Sequence, residues 1–444
     1  MLTTGSIPAH VRSLAVPASI GLFFQTMYNV VDSFYAGQIS TTALAALGLS
    51  FPVYLLIIAS SSGTSRGTSA LIANAIGSDD EASQQTYIAQ SLSLGFLLSI
   101  VMTILGLALA GPLFQLMGAD GEYLETSLSY IRPIFMGATF QIMSSLCNGI
   151  LVAYGDSKTF SRVLIAGFFL NLALDPWFVY GGFGLPAMGI TGVALATVLI
   201  QMCGFIYMFG AVTRRGLLEV SHWRRFVPNL RIFSEIAQQA LPASFNIMSV
   251  ALGFFVTTYF LKTFGEATVA AYAVTTRIEQ IVLLPSFGLY AAIMALVGQN
   301  NGAKKFDRIT ETMRVCNRFG LILTITSSTL MFLFADPLLR IFSDDPEVIG
   351  IGVTCLRIFA FVQWSYVMTS THIAMLQAIK RPMYGFFESV TRKIILPMPL
   401  LWLFIAQWDK SVLWIWYTSA TTTVLMTVIT VLYARSVLRK QPVA

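Results

Sequence analysis

Ala15-Val16-Pro17-Ala18-Ser19 recurs as Ala240-Leu241-Pro242-Ala243-Ser244, an offset of 225 positions from Pro17 to Pro242. The offset persists along the chain. Pro112-Leu113 returns as Pro337-Leu338, Arg132 as Arg357, Leu151-x-Ala153 as Leu376-x-Ala378, and Trp177 as Trp402. A register held without gaps over about 160 positions marks two copies of one unit fused in line. Against that register the mismatches are informative: Asp32 stands opposite Thr257, and Asp175 opposite Leu400. An acid present in one half alone is not demanded by the shared fold, so it points to function.

With 56% hydrophobic and 11% charged residues and a mean hydropathy of +0.73, the chain belongs in a bilayer. A soluble domain carries about a quarter charged residues. Apolar runs of about twenty residues, each long enough to cross a membrane as a helix, recur throughout. They give twelve spans, from about 13–37 to about 411–433, and an even number leaves both termini on one side. No cleavable signal is expected, since the first apolar run is too long and carries Asp32. Eighteen Lys and Arg fall in the loops and tails of one side, against Lys262, Arg340 and Lys410 on the other. Positive charge marks the cytoplasmic face, so a multi-pass plasma (inner) membrane protein with both termini inside is expected. The net charge of +6 then reflects topology and contact with membrane lipids; no nucleic acid is expected as a partner.

The polar stretch from Thr213 to Ser234, with five arginines and Pro228, falls where one repeat ends and the next begins. It divides the chain into a first lobe (1–213), a linker (214–234) and a second lobe (235–444). Six spans per copy is even, so the copies insert with the same orientation about an axis near the membrane normal. The fold class is therefore all-α membrane protein, twelve helices in two pseudo-symmetric six-helix lobes. The other loops are short, so the chemistry happens within the membrane.

Gln25, Tyr28, Asn29 and Asp32 share one face of the first span at helical spacing. Asn171 and Asp175 lie one turn apart on the fifth span, with Pro176 next. Asp32 and Asp175 sit at similar depth, about 9 Å from the ends of their helices. An intramembrane carboxylate costs about 2.5–3.5 kcal/mol on insertion scales and faces a cavity or a partner as a rule. Either acid could tie helices together; the reading preferred on this physics is a cation site for a proton or Na⁺. Of the remaining ionisable groups, Arg132 and Arg357 match by repeat, which favours architecture. Glu388 and Arg392 have the i, i+4 spacing of a local ion pair. Arg277 and Glu279, near mid-membrane in the eighth span, divide evenly between an intra-lobe pair and a gating or proton-relay role. The stretch Ser60 to Ser69, rich in Ser, Thr and Gly, suits close helix packing.

Enzyme signatures are missing from the sequence. It contains no GxxxxGK[ST] phosphate loop, which excludes ATP-driven transport within this chain, and no HExxH. His10, His222 and His372 have no metal-ligand spacing, and the four cysteines are singletons. No catalytic residue, metal or organic cofactor is expected.

Together these segments resemble the multidrug and toxic compound extrusion (MATE) family over nearly the whole chain. The resemblance is carried by Val31-Asp32 with Gly37 and Ala43–Gly48, Asn148–Leu151 with Gly155–Lys158, Asn171–Pro176, Gly189–Thr197, Arg277-Ile278-Glu279 and Gly298-Gln299. It implies two lobes forming a V that opens alternately to either side, and efflux of organic, often cationic, amphiphiles in exchange for H⁺ or Na⁺. Within the family the chain resembles the DinF-like bacterial and archaeal branch more closely. That branch's first-lobe cation site falls here on Asp32, Asn171, Asp175 and Thr197, and its pocket residues on Gln25, Tyr28, Asn29 and Asn148. The NorM-like branch uses second-lobe acids on the seventh and tenth spans, which here carry none at membrane depth. The expectation is thus a monomeric, secondary active exporter of small-molecule drugs, with H⁺ favoured over Na⁺ because two facing acids tend to share a proton. The rival readings are a lipid or lipid-linked oligosaccharide flippase and, from another class, an intramembrane hydrolase.

Overall fold

The structure, a computed structural model, describes residues 2–182, 184–219 and 223–440; His222 lies outside the described residues. Its helices are α1 (Ile7–Ile39), α2 (Thr41–Gly77), α3 (Glu81–Leu116), α4 (Gly121–Met136), α5 (Ala138–Ala153), α6 (Lys158–Tyr180) and α7 (Ile190–Arg214) in the first half. The second half holds α8 (Leu230–Leu261), α9 (Glu266–Gly302), α10 (Phe306–Leu333), α11 (Ala335–Arg340), α12 (Pro346–Ala378), α13 (Met383–Val390), α14 (Pro397–Leu401) and α15 (Leu413–Arg439). Through the π-helical turns Thr391–Ile395 and Trp402–Gln407, α13 and α14 form one span, Met383–Gln407.

Among the described residues eleven helices are long and apolar enough to cross a membrane, and α4 with α5, bent by 48°, makes a twelfth if the pair is one broken span. The break has a local cause. Pro133 lacks an N–H for the helix ladder, and at Gly137 an added Cβ would stand 2.6 Å from Val198 Cγ2 on α7. Helix starts are capped where the sequence offers an acceptor. Ser40 Oγ accepts from Ala43 N at 3.0 Å and Asp80 Oδ1 from Ser83 N at 3.0 Å. Asp345 Oδ1 accepts from Glu347 N at 2.9 Å, with Pro346 at the first helical position.

The chain forms two compact units, Ile20–Ser244 and Met1–Ser19 with Phe245–Ala444. Their boundaries differ from the lobes read from sequence and cut α1 and α8 at positions 225 apart. The reason lies in the repeated pentapeptide. In the first unit, Gly63 on α2 lies so close to α8 that a Cβ would meet Ala240 O at 2.8 Å and Ser244 N at 2.7 Å. In the second, a Cβ added at Gly288 on α9 would likewise run into Ala15 O and Ser19 N. Gly63 and Gly288 are themselves repeat-equivalent. Each half thus clasps the opening segment of the other copy through a glycine, as lipid-immersed helices require small residues to approach closely.

Polar ties reinforce both arrangements. Leu2 N donates to Gln299 Oε1 at 2.8 Å, and Lys305 Nζ to Thr3 O at 3.0 Å. In the other unit Gln90 on α3 grips the linker: its Nε2 donates to Val227 O at 2.8 Å, and its Oε1 accepts from Asn229 N at 2.9 Å. The core of that unit gathers Ile57, Ile88, Ile131, Ile142 and Leu146. The other unit packs Trp416 with Phe359, Cys355 and Leu401, and Leu339 with Leu356 and Met331. All four cysteines are free, and three are buried.

Candidate functional site

Asp32 on α1, Asn171 and Asp175 on α6, and Thr197 on α7 converge in the interior of the Ile20–Ser244 unit, each at most 5% exposed. The convergence follows from local helix geometry. One turn separates Asn171 from Asp175, so both side chains leave α6 on the same face. Asn171 Nδ2 donates to Asp175 Oδ1 at 2.8 Å and to Asp32 Oδ1 at 2.9 Å. One amide therefore bridges both carboxylates. From the other side Tyr28, one turn before Asp32, donates its hydroxyl to Thr197 Oγ1 at 2.9 Å. That leaves the Thr197 hydroxyl hydrogen for Asp32 Oδ2, at 3.5 Å.

Charge and hydrogen bonding are both incomplete at this centre. Asp175 Oδ2 and Asn171 Oδ1 are buried oxygens without any partner. Among the described residues no Lys, Arg or His forms an ion pair with either acid. Two carboxylates out of water without a counter-charge are expensive, and the unmet groups are all acceptors. A proton or a hard monovalent cation supplies what is lacking, and carboxylate, amide and hydroxyl oxygens are the donor set such a cation takes.

The structure also adds neighbours that sequence reasoning missed. Tyr54 on α2 and Tyr130 on α4 lie within electrostatic reach of Asp32. Gln201, one turn beyond Thr197, donates to the Tyr54 hydroxyl at 3.4 Å. Gln201 was legible as an amide one turn from Thr197 in an apolar run; the tyrosines carried no such signal. Of the pocket residues expected beside the acids, only Tyr28 bonds into the cluster. Gln25 and Asn148 are half-buried and Asn29 is exposed, and none of the three reaches the acids by a hydrogen bond among the described residues.

Elsewhere, Glu388 and Arg392 form the expected ion pair at 2.6 Å, with Arg392 over the Tyr366 ring at 5.6 Å. Arg277 and Glu279 do not pair: Arg277 is exposed, while Glu279 Oε1 is buried. The even choice between pair and relay is thereby narrowed against the pair. His372 Nδ1 is hydrogen-bonded to Met368 O at 2.7 Å, the arrangement of a satisfied core histidine. Between α5 and α6, outside the spans, Asp156 accepts from Lys158 N at 2.8 Å and pairs with Arg215 at 2.6 Å. Burial alone would push its carboxyl up, but the bonds from Thr159 and the Arg215 guanidinium outweigh that and hold it below the usual range.

Two in-line helical repeats with a paired acid at membrane depth define a polytopic membrane carrier. Comparison with known proteins agrees. The MatE family model matches residues 17–177 and again 242–403, the two copies of the repeat. The chain belongs to the MatE family; it is a multi-pass membrane transporter and not an enzyme. It is 27% identical over 375 residues to the probable multidrug resistance protein YoeA of Bacillus subtilis, covering 82% of this chain and 79% of that protein. It is 25% identical to a FAD transporter of Shewanella oneidensis, covering 87% and 86%. Among solved structures, a transporter of the MOP superfamily from Pyrococcus furiosus superposes with a TM-score of 0.92 at 25% identity. That match covers 100% of this chain and 98% of that one.

Proposed function

We propose that the chain exports organic, mainly cationic amphiphiles from the cytoplasm across the plasma (inner) membrane by exchange for a cation, with Asp32, Asn171, Asp175 and Thr197 as the coupling site. The observation that carries this reading is the double bridge of Asn171 across two acids that have no counter-charge. Such a site takes up a proton or cation because Asp175 Oδ2 and Asn171 Oδ1 are buried acceptors without a partner. An arriving proton removes charge from the pair and weakens the hold of Asn171 and Thr197 on Asp32. Helix α1 is then free to repack around Pro17, which lacks an N–H within it, and a cationic cargo loses the negative charge that attracted it. The name of the probable multidrug resistance protein among the relatives supports drug export, and the cationic character of the cargo is inferred from the acids. H⁺ is favoured over Na⁺ because two acids in direct electrostatic contact share a proton readily, and a Na⁺ site would need oxygens beyond these four residues. The working unit is a single chain with both termini in the cytoplasm.

A second reading, a cargo bearing phosphate or pyrophosphate as in a lipid-linked sugar flippase, is favoured by Lys393. This residue lies at membrane depth against Gly253 of α8 and forms no ion pair among the described residues. The FAD transporter among the relatives is of that cargo class. Drug accumulation in cells with and without the chain separates the readings. Cells expressing it should retain less of an organic cation, and Asp32→Asn should remove the difference while the protein still reaches the membrane. Full efflux by the Asn variant overturns the coupling site.

A further inference from the structure

The 225-residue offset carries the pocket around Asp32 into the second unit, where its chemistry is redistributed. Asp32 becomes Thr257, Asn171 becomes Leu396, Asp175 becomes Leu400, and Thr197 is kept as Thr422. The two tyrosines beside Asp32 change as well: Tyr54 becomes Glu279 and Tyr130 becomes Cys355. The second unit has therefore lost the acids of its first and fifth helices and gained one at a position that, in the first unit, lies next to the acid.

The surroundings of Glu279 reproduce that pocket. Cys355 and Tyr366 of α12 and Tyr272 of its own helix lie within electrostatic reach of it. Thr257, the counterpart of Asp32, donates its own hydroxyl to Gly253 O at 3.0 Å. Gln363 on α12 is fully buried, and its Nε2 donates to the backbone oxygen of Glu279 at 3.5 Å. Glu279 Oε1 and Gln363 Oε1 are buried and have no partner. Both are acceptors.

The charges around it bring no compensation. Arg277 on the same helix is exposed, and Arg392 is bound to Glu388. Arg314 and Arg318 of α10, Asp336 and Arg340 of α11, Arg357 of α12, which lies over the Phe332 ring, and Lys393, against Gly253, form no ion pair with Glu279 among the described residues. A carboxylate oxygen and an amide oxygen that are both buried, on residues joined by the Gln363 Nε2 bond to the Glu279 backbone, need a donor, and one proton supplies it. Carried by the carboxyl, that proton removes the uncompensated charge.

We propose that Glu279 is a second proton-exchange site, in the Phe245–Ala444 part of the chain, with Gln363 Oε1 as the acceptor that holds the protonated carboxyl. It is distinct from the Asp32 centre, and on neither the seventh nor the tenth span, where second-lobe acids were sought. Proton binding here does not depend on the export reading.

Infrared difference spectroscopy of the full-length protein in lipid, comparing acid with alkaline buffer, tests it directly. With Asp32→Asn and Asp175→Asn in place, the first unit's acids are silent. The carboxyl C=O band of one remaining buried group should appear with acid and be lost in the added Glu279→Gln variant. Gln363→Leu should keep the band and shift its frequency, because the accepting oxygen is gone. If Glu279→Gln does not fold, Glu279→Asp should move the band. A background with no titrating buried carboxyl, a band that survives Glu279→Gln, or one indifferent to Glu279→Asp overturns the proposal. Since the background already lacks the coupling acids, failure of the export reading leaves this outcome unchanged.

Discussion

Because Asn171 serves Asp32 and Asp175 with a single amide, the two acids should not contribute independently. Replacing either with Asn removes one carboxylate that accepts from Asn171 Nδ2, at 2.9 Å for Asp32 and 2.8 Å for Asp175. A hydrogen bond to a charged group contributes about 1.5–3 kcal/mol, and about 1.4 kcal/mol is tenfold in affinity. Each single variant should therefore weaken cation-driven export by about 10- to 150-fold. Independent sites would multiply these losses, giving about 100-fold to about 20,000-fold for the double variant. One shared site predicts that the double variant is no worse than the weaker single, since removing either acid already dismantles it. The assay is the initial rate of organic-cation export from vesicles as a function of driving-ion concentration, for wild type, both singles and the double. A double variant that falls by the product of the singles would refute the bridged-site reasoning.

Two further outcomes follow from the packing and from the loop charges. Gly63→Ala places a Cβ within 2.8 Å of Ala240 O, so overpacking should cost about 1–3 kcal/mol and lower the thermal transition of the detergent-purified protein. The same change at Gly111, where a Cβ meets nothing within 4 Å, should not. Asp156 has its carboxyl depressed in the folded protein, so its stabilising effect is present above the ordinary carboxylate value and lost as pH falls through the depressed one. Asp156→Asn should lower thermal stability at neutral pH, and the gap to wild type should close in acid; a gap that persists there contradicts the ion pair with Arg215.

What the sequence made legible was whatever repeats or breaks a local rule. The 225-residue register gave two units, and the apolar runs gave the spans. Asp32, Asn171 and Asp175 stood out because polar groups at membrane depth are costly. Their assembly into one hydrogen-bonded centre with Thr197 and Tyr28 was a property of three helices that no single segment displays. The clasp of Gly63 on Ala240–Ser244 was hidden for the same reason: small residues announce close packing but not the partner. The break at Gly137 escaped a hydropathy reading because α4 and α5 are apolar on both sides of it. Glu279 was visible as an acid, but only the repeat register laid over the folded pocket shows that it replaces Tyr54.

The central claim is that binding at the Asp32 centre drives export. One pH unit supplies about 1.4 kcal/mol per proton, about tenfold accumulation, and an exchange that carries net charge inward gains about 2.3 kcal/mol more per charge at 100 mV. Proteoliposomes with an imposed pH gradient, no Na⁺ and a fluorescent organic cation measure this directly. Wild-type protein should move the dye against its gradient while Asp32→Asn moves it about 10- to 150-fold more slowly. Dye movement by Asp32→Asn at the wild-type rate, or none by wild type until Na⁺ replaces the pH gradient, would contradict the account, the first outcome in its site and the second in its ion.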